Sequence, residues 1–133
     1  MKGARWFAWL FCASWDEHAH YSPDGKKILW MSRAELKVQF PSVYGLEWAK
    51  YLRAELWTMN SDGTKPIRLT YFNQPNHPDY RWFQKNVFAT KRVIVSDNAF
   101  SPDGKKAAVC IAYEQPIIGI NSVLAVIDLE KRQ

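Results

Sequence analysis

Asp16, His18 and His20 alternate along the stretch Asp16-Glu17-His18-Ala19-His20-Tyr21, which gathers the residue types best suited to chemistry. In an extended chain successive side chains point to opposite faces, so these three would share one face while Glu17, Ala19 and Tyr21 share the other. Two imidazoles and a carboxylate suit Zn²⁺ or another borderline divalent metal, with His77 or Asp79 as a further ligand. The same residues also suit plain polar work at the mouth of a strand, hydrogen-bonded to neighbouring sheets.

A second candidate is Tyr80-Arg81-Trp82-Phe83, read as part of an exposed loop. Aromatic residues and Arg anchor protein interfaces, so this stretch suits contact with a partner; burial in the core is the competing reading. Catalytic signatures are missing from the sequence: it has no Gly-x-Ser-x-Gly, no phosphate-cradling glycine loop and no His-Glu-x-x-His.

Charge and cysteine usage narrow the classes further. The formal net charge is +5, from 18 basic and 13 acidic residues, yet no basic run exceeds a pair such as Lys26-Lys27. That pattern reads as a solvated surface and gives no stripe for nucleic acid. Cys12 and Cys110 lie in apolar segments without Cys-x-x-Cys spacing, which favours buried thiols over metal ligands and leaves their pairing open. Behind Lys2 and Arg5, the run Trp6 to Ala13 has the shape of a short secretory segment, although its tryptophans and its continuation into repeat-like sequence favour an opening core strand. No stretch reaches the roughly eighteen apolar residues of a membrane-spanning helix.

The elements that must position these groups are mostly strands. Seven Trp, seven Phe and six Tyr in 133 residues suit sheets whose faces are filled by large side chains. Apolar or alternating runs predict strands over 6–15, 28–32, 55–60, 67–72, 87–100, 107–113 and 122–128. Between them, Phe40-Pro41-Ser42 reads as a loop, and helical spacing over Leu46 to Arg53 predicts a short helix within an insertion at 34–54. Pro75 and Pro78 make Asn73 to Tyr80 a surface loop, and Glu114-Gln115-Pro116 reads as another.

Ser22-Pro23-Asp24-Gly25-Lys26-Lys27 returns unchanged as Ser101-Pro102-Asp103-Gly104-Lys105-Lys106. Pro presets φ for a tight turn, Asp bonds its own backbone and Gly accepts φ > 0, so the word is a strand reversal used twice. The offset is 101 − 22 = 79 at the turn, and Leu56-Trp57-Thr58-Met59-Asn60 aligns with Leu124-Ala125-Val126-Ile127-Asp128 at 124 − 56 = 68. The first copy is thus about eleven residues longer, where the insertion sits. At offset 79, Asp16, His18 and His20 become Val95, Asp97 and Ala99, so a shared scaffold does not require them.

With Glu55 to Thr64 and Ile67-Arg68-Leu69-Thr70, the first copy resembles the TolB-type β-propeller repeat. The resemblance covers 18–33, 55–72 and 96–112 closely and 121–130 loosely; Leu129-Glu130-Lys131 departs from Ser61-Asp62-Gly63. It implies an all-β fold of about two four-stranded antiparallel meanders with a short helical insertion. The first blade would span about 6–72 and the second, incomplete, about 87–133. Propellers close into rings, and at roughly forty residues per blade this chain would hold only part of one. The implied function is a non-enzymatic scaffold for protein–protein interaction or ligand binding, within a larger propeller or complex, in the periplasm or outside the cell. The alternative is the propeller portion of an enzyme, such as a prolyl-oligopeptidase-like peptidase, or of a metal- or haem-bearing complex.

Overall fold

The computed structural model describes residues 15–36, 50–87, 92–115, 117 and 119–132. Within them the repeated word folds twice into the same turn. The Gly25 amide donates to the Ser22 carbonyl and the Gly104 amide to the Ser101 carbonyl, both at 2.8 Å. Each Ser hydroxyl bonds the Asp two residues on and also accepts from the amide of the second Lys, at 2.9 Å in both copies. Gly25 and Gly104 carry φ of 71° and 72°, a conformation that a side chain would strain.

Around the first turn a four-stranded antiparallel meander forms, from β1 (Asp16–Tyr21), β2 (Lys27–Ser32), β3 (Glu55–Asn60) and β4 (Ile67–Arg68). Around the second, β5 (Val93–Phe100), β6 (Lys106–Gln115) and β7 (Gly119–Asp128) make a three-stranded sheet in the same order. The two offsets describe one register: Leu29 pairs with Thr58 as Ala108 pairs with Val126, and Met31 with Leu56 as Cys110 with Leu124. Even the divergent third turn keeps its anchor, since the Ser61 amide donates to Lys26 and the Leu129 amide to Lys105.

A bulge interrupts the first strand of each sheet at the same place. Glu17 pairs with Met31 but His20 with Leu29, and Val95 pairs with Ile111 but Asn98 with Val109, so each first strand carries one extra residue. The bulge overturns the alternation expected for Asp16, His18 and His20. Opposed residues share a face, so Asp16 lies with Ser32 on one face and His20 with Leu29 on the other.

The core forms where the sheets stack. Leu29, Leu56 and Leu69 of the first sheet pack into one cluster with Ala107, Val109, Ile111 and Ile127 of the second. At the same junction the Ala54 amide donates to the Val93 carbonyl and the Val95 amide to the Ala54 carbonyl. β1, β2 and β3 all approach β5, while β4 and β7 stay apart.

Several expected boundaries shift. α1 (Pro78–Val87) replaces the loop expected to run to Tyr80 and the strand expected from Val87. Its start obeys helix rules: Pro78 occupies the first position, the Asp79 amide donates to His77 Nδ1, Asp79 sits in the first turn and Lys85 in the last. Phe83 then drops from the helix into the core and meets Phe72 and Tyr113 at ring distances of 5.2 and 5.6 Å. β6 runs through Glu114 to Gln115 where a loop was expected, because these residues pair with Ile120 and Gly119. β4 ends at Arg68, short of Phe72, because the chain beyond it wraps around the Glu55 carboxylate instead of continuing the ladder. Glu55 is fully buried and accepts from Arg68 Nη2, the Thr70 hydroxyl, the Phe72 and Asn73 amides and Asn73 Nδ2.

Of the strand expected at 6–15, Trp15 is irregular chain and 6–14 lie outside the described residues, as do the secretory-like run, Cys12 and most of the insertion, including 46–49 of its helix. Residues 51–53 form a turn and irregular chain leading to Ala54.

Candidate functional site

The stacking of the sheets brings the two identical turns side by side. Between them lies a crevice of about 380 Å³, with Ser22, Pro23, Asp24 and Lys27 on one wall and Phe100, Pro102, Asp103 and Gly104 on the other. Thr58, Leu69 and Leu129 complete the lining. Pro23 approaches closely enough to stand 3.7 Å from where a β-carbon on Gly104 would be. The crevice therefore has polar rims from the turns and an apolar floor from the core edge.

The rim carboxylates are held ionised. The Ser22 hydroxyl, then the Lys26 amide, donate to Asp24 and lower its pKa; Ser101 and Lys105 do the same for Asp103. Lys27 reaches across its sheet to Asn60 Oδ1 at 3.0 Å. Two acidic groups and a lysine beside apolar surface can recognise a polar, cation-bearing segment. The Ser22 and Ser101 hydroxyls are tied to the aspartates of their own turns, at 2.6 and 2.5 Å.

Asp16, His18 and His20 do not converge. Asp16 accepts from Trp30 Nε1 at 3.1 Å. His18 occupies the bulge with φ 55°, a left-handed conformation that His tolerates better than most residues. Its Nδ1 lies 3.0 Å from Asp97 Oδ1, its Nε2 lies 3.6 Å from Glu17 Oε2, and its carbonyl accepts from Asn98 Nδ2 at 2.9 Å. His77 and Asp79 sit elsewhere, at the start of α1, where Asp79 accepts from the Tyr71 amide and pairs with Arg132. Among the described residues no group of three or more His, Cys, Asp or Glu side chains could hold a metal ion.

His18 and Asp97 are the same repeat position, since 97 − 18 = 79. The contact thus joins equivalent bulges of the two copies. Asp97 and Asn98 had no place among the candidates of sequence reasoning, although the offset was the signal that could have found them.

The quartet Tyr80, Arg81, Trp82 and Phe83 divides by helix face. Phe83 is buried and Tyr80 half-buried, while Arg81 and Trp82 are exposed. Cys110 is a free thiol, half-buried on the second sheet.

No known protein-family model matches the chain, and no curated protein matches it. Among the described residues no helix is long and apolar enough to cross a membrane.

Proposed function

We propose that the chain is a non-enzymatic scaffold of TolB-like, β-propeller type, acting in protein–protein interaction or ligand binding as part of a larger propeller or complex. The observation that carries this reading is the crevice between the repeated turns, which exists only because two copies of one unit stack. Rigid sheets that present short connections at one end are a common platform for recognition, with binding placed on the loops. The shared turn, bulge and register support treating each sheet as a blade. The approach of β1 to β5, with β4 and β7 apart, suits blades that radiate from an inner edge. A periplasmic or extracellular setting belongs to the same proposal and follows from the sequence resemblance alone.

Lysine crosslinking of the natively purified protein, followed by peptide mapping, tests the reading. Lys26, Lys105 and Lys106 are exposed on the turns that frame the crevice. The expected result is crosslinks from these lysines to another polypeptide or to sequence outside this chain. Crosslinks confined to neighbouring residues of the same chain overturn it.

A further inference from the structure

The internal repeat states what ought to lie beside the third strand of each sheet. In the first sheet β3 has β2 on one side and β4 on the other, so both of its edges are bonded. Leu56 turns its backbone toward the fourth strand: its carbonyl accepts from the Leu69 amide at 2.8 Å and its amide donates to the Thr70 hydroxyl at 2.9 Å. β7 holds the same place in the second sheet, but among the described residues its one strand neighbour is β6. Its other edge is open.

The phase of the ladder identifies the groups on that edge. The Leu129 amide donates to the Lys105 carbonyl, and the register then runs without a shift from Asp128 opposite Lys106 to Gly119 opposite Gln115. Bonded pairs alternate along an antiparallel ladder, so Ile127, Ala125 and Val123 bond β6 while Val126, Leu124 and Ser122 turn N–H and C=O to the open side. Leu124 is the counterpart of Leu56, since 124 − 56 = 68. β7 also lacks the devices that blunt an edge: from Gly119 to Ile127 it has no charge and no proline, and Leu124 is 73% and Val126 70% exposed. A long uncharged edge is a template for another strand.

The chemistry of that strand follows from what the two copies exchange. In the first sheet the buried Glu55 carboxylate holds Arg68 of β4, and Arg68 lies opposite Trp57. At offset 68 Glu55 becomes Val123 and Trp57 becomes Ala125. A cation in the place of Arg68 would lose water and meet no carboxylate, whereas Ala125 leaves room for a bulky apolar side chain.

We infer that β7 binds an extended segment of a partner polypeptide, laid antiparallel along its open edge and apolar at the residue opposite Ala125. Main-chain hydrogen bonds to Ser122, Leu124 and Val126 supply the affinity, and the side chains around Val123 and Leu124 supply the selectivity. The edge is a different surface from the crevice, so the crosslinking result stands or falls separately.

Amide hydrogen exchange followed by NMR tests this on the whole chain. In the protein alone the Leu124 and Val126 amides are expected to exchange at least about tenfold faster than the Leu56 amide. The probe is a synthetic peptide of residues 65–72 carrying Arg68→Leu, which copies the fourth strand of the first unit without its charge. At saturation it is expected to slow exchange at Leu124 and Val126 by about tenfold or more, and the unsubstituted peptide to bind more weakly. N-methylation of the peptide at Leu69 removes the amide that would meet the Leu124 carbonyl and is expected to abolish the effect. Leu124→Pro in the protein, checked for an unchanged circular dichroism spectrum, is expected to do the same at Val126, because proline is accepted where an edge N–H faces away from the ladder. Absence of slowing by the Arg68→Leu peptide overturns the inference. Equal slowing by the N-methylated peptide overturns it too, because contact would then run through side chains alone. Leu124 and Val126 amides as protected as Leu56 before any peptide is added also overturn it, and sedimentation then tells whether a second copy or this chain's own residues cover the edge.

Discussion

Glu55 has no exposed surface, and its carboxylate gathers Arg68, Thr70, Phe72 and Asn73 around it. A buried pair adds little over an apolar substitute, but breaking it strands the remaining charge. Glu55→Ala is therefore expected to cost about 3–5 kcal/mol in urea unfolding, and Arg68→Met combined with Glu55→Leu much less than the sum of the single changes. The sequence showed Glu55 only as the first residue of a strand; its role depends on the chain folding back from residue 70, which no local pattern encodes. The turn aspartates were legible, because Ser-Pro-Asp-Gly specifies its own hydrogen bonds. Their depressed folded-state pKa means stability that is fully present above the unfolded-state value and lost as pH falls through the folded one. Carboxyl-carbon NMR of Ser22→Ala should show the Asp24 midpoint rising while Asp103, in the untouched copy, stays where it was.

At the level of elements, alternation failed in β1 because it assumes an unbroken ladder. The bulge inserts one residue and sends Asp16 and His20 to opposite faces, which removes the metal arrangement the spacing suggested. Its recurrence in β5 marks it as part of the unit's architecture. His18→Val should destabilise the chain by about 1–2 kcal/mol, since a β-branched residue resists the left-handed conformation, as measured by denaturant midpoint. α1 is hidden in the sequence for a different reason: Pro75 and Pro78 read as breakers, whereas Pro78 sits where a helix accepts proline. Tyr80, Phe83 and Val87, three and then four apart, are the apolar spacing that signals the helix. Phe83→Ala is expected to cost about 3–5 kcal/mol through the cavity it leaves. Trp82→Ala, one residue away and exposed, should stay within about 0.5 kcal/mol.

For the whole molecule, the repeat was legible in the sequence down to the strand register, because identical turns and paired offsets fix which residues oppose each other. Which faces are covered was not legible, because the pattern in each copy is the same while the surroundings differ. That difference yields a comparison internal to one chain. Leu56 and Leu124 occupy the same position of the unit, opposite Met31 and Cys110, but one lies between sheets and the other faces outward. Leu56→Lys places a charge in the core and should cost more than about 4 kcal/mol, enough to unfold most of the population. Leu124→Lys should leave the denaturation midpoint of the isolated chain within about 0.5 kcal/mol of the parent. Comparable losses for the two would mean that the outer face is already covered within a single chain. A wide gap between them ties the cost of the charge to packing and not to the repeat position, and so marks the outer face as surface that a neighbouring sheet can cover.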